Sequence, residues 1–512
     1  MKYPIGIQNF DEIRIGEYAY IDKTRLIYKL VDEGKYYFLS RQRRFVMSIL
    51  ISTLEAYFRG QKELFNGLAI YDLEQEWLEY PVFHIDLNTA NFREKDSLFA
   101  ILNDYLCNWE KEYGKSESET TLALRFKGVV ERAAKKTGSN VVILVDEYDK
   151  PMLQTFHDRE LQDNYRNELK AFYSVLKTQD RYIKFAFLTG VTKFGKVSVF
   201  SDLNNLMDIS MDNRYISICG ITENELKANF KEGIAELSDA TGDTEEATIE
   251  KLRANYDGYH FVDNSIGIYN PFSLLNTLAR LKFDDYWFET GTPTFLVELM
   301  KLHHYELRNL TKEQISADVI NSIDSMSTNP IPVIYQSGYL TIKGYNERFK
   351  KYKLGFPNQE VEQGFLNFLL PRYSSAGDKS SYFIEEFVKD AEAGNPERFM
   401  QRLSTMLADT DYKVVGNTEL YFQNVMYLIF KIMGFYIQVE RPTSDGRIDA
   451  VIQTADYIYI IECKLDKSAD EALRQIEDNN YAAPFQMDKR KLYKIGVNFS
   501  SGTRGVEEYK ID

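Results

Sequence analysis

The chain has 512 residues, 44% hydrophobic and 27% charged, which is the balance of an ordinary globular protein and enough for about three domains, each with its own core. Its net charge of −15 excludes a general attraction to nucleic acid or anionic membrane, so any polyanion contact must be local, with help from metal expected. Three well-separated cysteines and five histidines, of which only His303 and His304 adjoin, argue against a disulfide scaffold, a zinc cluster or a histidine-based metal site.

The first residues, MKYPIGIQNFDEIR, lack a signal peptide's apolar core, and no later run is long and apolar enough to span a bilayer. A cytoplasmic protein without a membrane partner is expected. YYFL (36–39) then leads through a polar, arginine-rich loop into SILISTLEAYF, the layout of strand, phosphate loop and helix. Such a loop uses glycine for close backbone approach to phosphate, lysine for the β/γ charge and a hydroxyl for Mg²⁺. In that register only Ser48 is present; Val46 and Met47 occupy the glycine and lysine positions, and Arg41, Arg43 and Arg44 supply the local positive charge. Loss of the lysine alone is expected to weaken nucleotide binding about 10- to 150-fold.

VFHIDL (82–87), VVILVD (141–146) and IKFAFLT (183–189) are further largely apolar runs of strand length. With YYFL they predict a parallel sheet covered on both faces, hence an α/β domain over 1–220. VVILVDEYDKP ends its strand in Asp146, suited to orienting Mg²⁺ through water, and Glu147, suited to positioning an attacking water. Strand ends also carry solvated carboxylates, so the pair alone is unspecific. Thr189 and Thr192 suit sensing of a γ-phosphate, or simple capping.

From 221 to 410 a mostly helical region is expected, opening on ITENELKANF, where Thr222 and Glu225 form a capping box. Its aromatic stretches YDGYHF, YNPFSLLNTL and YWFETGTPTFLVELM suit packing, and a strand pair is expected around SGYLTIKGY. From 411 to 512 a helix, a hairpin and another helix form a small α/β unit. In GRIDAVIQTADYIYIIECKL, a two-residue turn at Ala455-Asp456 pairs Thr454 with Tyr457 and sets Asp449 opposite Glu462. Lys464 then shares their face, and Cys463 points the other way, into the core. Directly opposed residues have Cβ atoms about 4.5–5.5 Å apart, near enough for two carboxylates to hold one Mg²⁺ or Mn²⁺ while the lysine steadies a water or developing charge. Residues 461–494 carry seven basic and seven acidic side chains, so no net positive patch surrounds this hairpin.

YFLSRQRRF, LVDEYDKP, TGVTKFGKVSVFSDLNNL, YDGY, YNPFS and GRID together resemble, over nearly the whole chain, a bacterial family in which an AAA-ATPase-like domain precedes a PD-(D/E)xK nuclease-like domain. The family loop reads R-P-R-R-F-G-K-S; here Gln42, Val46 and Met47 replace its proline, glycine and lysine. The resemblance implies a P-loop NTPase-like fold with a restriction-endonuclease-like C-terminal domain. It implies ATP contacts at Arg43, Arg44, Ser48, Asp146 and Thr189, with Glu147 catalytic and Asp146 beside the metal. It also implies a nuclease centre of Asp449, Glu462 and Lys464. Glu419 is either an additional metal-side acid there or an acid favouring its own helix dipole, and Gln475 and Tyr481 lie near substrate, though each could be a plain surface residue. The expected function is a Mg²⁺- or Mn²⁺-dependent nuclease coupled to a degenerate ATPase-like sensing module. The alternative is a non-catalytic protein that binds nucleic acid, a partner protein or another copy of itself.

Overall fold

A computed structural model describes the chain except residues 156–157, 194–199, 201–202, 204, 289–293, 313, 322–328, 375–379, 409–417, 441–449 and 504. By spatial contact the chain forms two compact units: Met1–Trp287 with Glu313–Gln359, and Phe288–Lys312 with Glu360–Asp512. The segment 221–410 contributes to both.

The first unit is built on a five-stranded sheet in the order β2-β3-β4-β1-β5. Its strands are β1 (Tyr36–Ser40), β2 (Val82–Asp86), β3 (Val141–Asp146), β4 (Ile183–Gly190) and β5 (Met207–Asp208), all joined in parallel. The apolar runs behave as expected of strands buried on both faces: every residue from Val141 to Val145 is inaccessible to solvent. On one face Phe83 of β2 stacks on Trp109 at 4.3 Å between centroids; on the other, Phe185 of β4 meets Phe58 of the loop helix Met47–Phe58 at 5.0 Å. The same unit holds a second, antiparallel sheet, β6-β8-β7, formed by Gln314–Ser316, Lys351–Gly355 and Thr341–Asn346. β7 and β8 are the strand pair expected around SGYLTIKGY. Thr222 and Glu225 form the expected capping box. Tyr259, Phe261 and Trp287 of the aromatic stretches are buried, as packing requires.

The second unit contains a mixed sheet in the order β13-β12-β11-β10-β9. Its strands are β9 (Gln438–Glu440), β10 (Ala450–Gln453), β11 (Tyr457–Leu465), β12 (Lys491–Ser500) and β13 (Gly505–Ile511). β11 and β12 are parallel, joined through the crossover helix Ala469–Asp478, and the other pairs are antiparallel. The helix seats Ile476 against Val451, Ile458 and Ile460. On the opposite face Phe422 of the helix Thr418–Met433 stacks on Phe499 at 4.5 Å.

Candidate functional site

In the first unit, β1 continues one residue into the loop: the Arg41 amide donates to the Gly190 carbonyl at 3.2 Å. The loop then turns through left-handed backbone at Arg44 (φ 69) and Val46 (φ 53) before the loop helix begins at Met47. Only glycine enters that region freely, and a branched residue there is strained by about 1–2 kcal/mol. Val46 therefore keeps the backbone shape that a glycine at this position would serve.

Beyond the loop, three sequence-predicted residues converge. Ser48 Oγ donates to Asp146 Oδ2 at 2.7 Å, and Thr189 Oγ1 donates to Asp146 Oδ1 at 2.6 Å. Asp146 is 4% exposed at the end of β3. Thr192 lies elsewhere: its amide and hydroxyl both donate to Asp149, at 2.7 and 2.6 Å, and the Val191 amide adds a third bond at 3.3 Å. Asp149, wholly buried, was not among the expected site residues, although LVDEYDKP displays it. Gly190 belongs to the same corner, since a Cβ there would lie 2.5 Å from Asp149 Oδ1.

Glu147 is partly exposed and has a positive φ of 57. Burial and the carboxylates of Asp149 and Asp146 push it up to about 8, against the opposing charges of Lys150 and Arg43. The three loop arginines part company. Arg41 is buried, its guanidinium 3.9 Å from the Phe261 ring centre and donating to the carbonyls of Ser40 and Ser210. Arg44 donates to the Tyr286 carbonyl at 2.6 Å and lies 4.0 Å from the Phe272 ring centre. Arg43 is the exposed one. Two of the three thus serve packing.

Next to the first turn of the loop helix is a partly open apolar cavity of about 80 Å³, lined in part by Tyr20, Val46, Ile49, Leu50, Ile218 and Pro271. Its walls come from segments scattered over more than 250 residues of sequence, so no local pattern announces it.

In the second unit the β10–β11 ladder runs Gln453–Ile458, Ile452–Tyr459, Val451–Ile460 and Ala450–Ile461. The Thr454 amide donates to the Tyr457 carbonyl at 2.9 Å, which closes the turn in the expected register. The ladder stops one residue short of Asp449, which lies outside the described residues. Glu462 and Lys464 share the β11 face that meets the crossover helix. Lys464 Nζ donates to Glu462 Oε1 at 2.8 Å and also to Gln475 Oε1 on the helix. Gln475 Nε2 reaches Tyr481 Oη at 3.5 Å, and Asn479 Nδ2 holds the same oxygen at 2.8 Å. Four expected residues, Glu462, Lys464, Gln475 and Tyr481, thus form one connected line.

Cys463 lies on the opposite face of β11, as expected, but its expected place in the core needs correcting. Cys463 is half-buried, whereas Glu462 is only 2% exposed. β11 is covered on both faces, so alternation along it does not separate core from solvent. Glu419 is exposed at the start of its helix and accepts from Gln423 Nε2 at 3.2 Å. Among the described residues, no three His, Cys, Asp or Glu side chains are grouped as metal ligands, and no helix is long and apolar enough to cross a membrane.

Comparison with known proteins matches residues 4–200 to a family described as a predicted AAA-ATPase and residues 417–509 to the PD-(D/E)XK nuclease superfamily. A protein of Azotobacter chroococcum mcd 1, described as "Uncharacterized protein in vnfD 5'region", is 34% identical over 523 residues, covering 100% of this chain and 99% of that one. The Aeropyrum pernix ORC2 protein, solved in ADPNP–ADP complexes, is 11% identical and covers 71% of this chain and 96% of its own. Its TM-score of 0.27 is too low to argue from.

Proposed function

Because the chain belongs to the family that joins a predicted AAA-ATPase domain to a PD-(D/E)XK nuclease superfamily domain, we propose that it is a metal-dependent nuclease whose ATPase-like part senses nucleotide rather than turning it over. The observation that carries the cleavage reading is the line Glu462–Lys464–Gln475–Tyr481.

Glu462 offers an oxygen donor of the hard kind that Mg²⁺ and Mn²⁺ prefer, and Asp449 is the acid we assign beside it. An ion held there would polarise the phosphodiester and lower the pKa of a bound water. Lys464 brings its ammonium within 2.8 Å of the Glu462 carboxylate, where it can steady a nucleophilic water or charge developing on phosphate. Gln475 fixes the lysine rotamer from the helix, and Tyr481 positions Gln475. Glu419 is retained as an accessory acid from the neighbouring helix.

In the first unit, Ser48, Asp146 and Thr189 form an oxygen cluster that also suits Mg²⁺. The adjoining cavity is lined mostly by apolar side chains, a surface suited to a nucleobase. Binding of ATP is supported by that pairing of cluster and cavity. Turnover is disfavoured by Met47 in place of lysine, by two arginines committed to packing and by a Glu147 that is largely protonated near neutral pH.

A screen of single- and double-stranded DNA and RNA with Mg²⁺ or Mn²⁺ tests the cleavage reading. Wild type should cut at least one substrate, while Glu462→Gln, Lys464→Met and Asp449→Ala should each slow cutting by roughly 10²–10³-fold or more. Cutting at an equal rate by all three variants, or no cutting by wild type, would end it. The second reading, a non-catalytic binding protein, draws on the even charge of residues 461–494 and predicts metal-independent binding that survives Glu462→Gln.

A further inference from the structure

The hairpin of β7 and β8 lies in the first unit and plays no part in the two sites above. Its ladder runs Thr341–Gly355 and Ile342–Leu354, shifts at Gly344, and continues through Tyr345–Tyr352 to Asn346–Lys351, with residues 347–350 as the turn. The base is buried at Thr341, Ile342, Leu354 and Gly355, and the rings of Tyr345 and Tyr352 meet at 4.7 Å higher up. Asn346 Oδ1 accepts the Phe349 amide at 3.2 Å and closes the turn. The stem is therefore braced and its tip projects.

Charge concentrates on this tip. Lys343, Arg348, Lys350, Lys351 and Lys353 are all exposed, against one acid, Glu347. Among the described residues, Arg348, Lys350, Lys351 and Lys353 enter no ion pair. In a chain of net charge −15, five cations to one acid over eleven residues is a local reversal of sign. At the apex Phe349 is 60% exposed, with the Arg348 guanidinium carbon 5.2 Å from its ring centre.

Edge-strand lysines commonly guard a sheet against edge-to-edge pairing. That function accounts for Lys343 on the edge strand β7, but not for Lys351 and Lys353 on the central strand β8, nor for an exposed aromatic ring at the turn between two further cations. An aromatic platform flanked by a cationic track is the combination that holds single-stranded nucleic acid, with phosphates on the charges and a base on the ring. We propose that the β7–β8 hairpin binds single-stranded nucleic acid in this way. The binding needs neither metal nor Glu462, so it stands or falls separately from the cleavage reading.

The test measures fluorescence anisotropy of labelled 20-nucleotide single-stranded DNA and RNA, and of the matching duplexes, with the full chain in EDTA between 50 and 200 mM NaCl. Wild type should prefer the single strands. The variant R348Q/K350Q/K351Q/K353Q should lower the slope of log affinity against log salt by roughly 3, at about 0.7 per lost phosphate contact. Phe349→Ala should weaken single-strand binding on the order of tenfold without changing that slope. A control with four distant exposed lysines neutralised, K111Q/K127Q/K135Q/K136Q, should bind as wild type does, and equal thermal midpoints should show that every variant is folded. The proposal is overturned if the hairpin variants bind as tightly as wild type, if duplex binds as well as single strand and ignores Phe349→Ala, or if anionic phospholipid vesicles compete the protein away from nucleic acid only when the hairpin is intact.

Discussion

At the scale of single residues, Glu147 shows how position changes chemistry. A carboxylate that positions water must be ionised, yet burial and the nearby Asp149 and Asp146 charges raise Glu147 to about 8 from an ordinary 4.5. The folded protein therefore holds a proton on this group, between about pH 4.5 and 8, that the unfolded chain releases. The stability contributed by the group is fully present below 4.5 and is lost as pH rises through 8. Urea unfolding of wild type and Glu147→Gln should accordingly give similar stabilities at pH 4.5 and an increasing advantage to the variant up to pH 9. Parallel curves would remove the assigned burial. The type and spacing of Asp146, Glu147, Ser48 and Thr189 could be read from the sequence because strand ends and a loop-helix junction place them. The use of Asp149 could not, because its two partners, Val191 and Thr192, lie more than 40 residues downstream and only the closure of β4 on β3 brings them near.

At the scale of elements, the strands readable as such were β1 to β4, whose runs are mostly apolar, the β7–β8 pair, and the β10–β11 hairpin with its turn. β12 and β13 were not anticipated. GVEEYKI carries three charges, and KLYKIGVNFS is buried only from Ile495 onward, so neither presents an unbroken apolar run. β5 has two residues and exists only by pairing with β1. β12 nevertheless shapes the candidate nuclease site through Gly496, beneath the crossover helix. A Cβ at Gly496 would fall 2.3 Å from the Ala469 carbonyl oxygen and 3.0 Å from Leu473. Helix backbone cannot yield as a side-chain end can, so Gly496→Ala should push the helix outward, at about 1–3 kcal/mol of overpacking. The displaced Gln475 would then release Lys464. Chemical denaturation should show the loss of stability, and faster hydrogen exchange across Ala469–Asp478 should locate it; an unchanged midpoint would show that the helix does not rest on this glycine.

At the scale of the whole molecule, sequence texture suggests three consecutive segments, 1–220, 221–410 and 411–512, whereas contact divides the chain into two units, and the chain passes from one to the other after Trp287, Lys312 and Gln359. Which helix joins which core depends on tertiary packing, and local composition does not encode it. Each unit has its own sheet, so ligands specific to one should stabilise that unit by mass action and leave the other's unfolding where it was. Val46→Gly with Met47→Lys puts the permissive backbone and the missing cation back into the phosphate loop. Met47 is 6% exposed, so without a phosphate partner the new ammonium is costly to bury, and the variant should begin to unfold below wild type. With ATP and Mg²⁺ the order should reverse, through a rise confined to the transition of the first unit. A binding gain of the size lost with the lysine, about 10- to 150-fold, would raise that transition's stability by about 1.4–3 kcal/mol at saturating nucleotide. Calorimetric scans of both proteins with and without nucleotide separate the outcomes: identical nucleotide shifts would mean that the loop does not hold phosphate, and a shift in both transitions would mean that the units do not unfold independently.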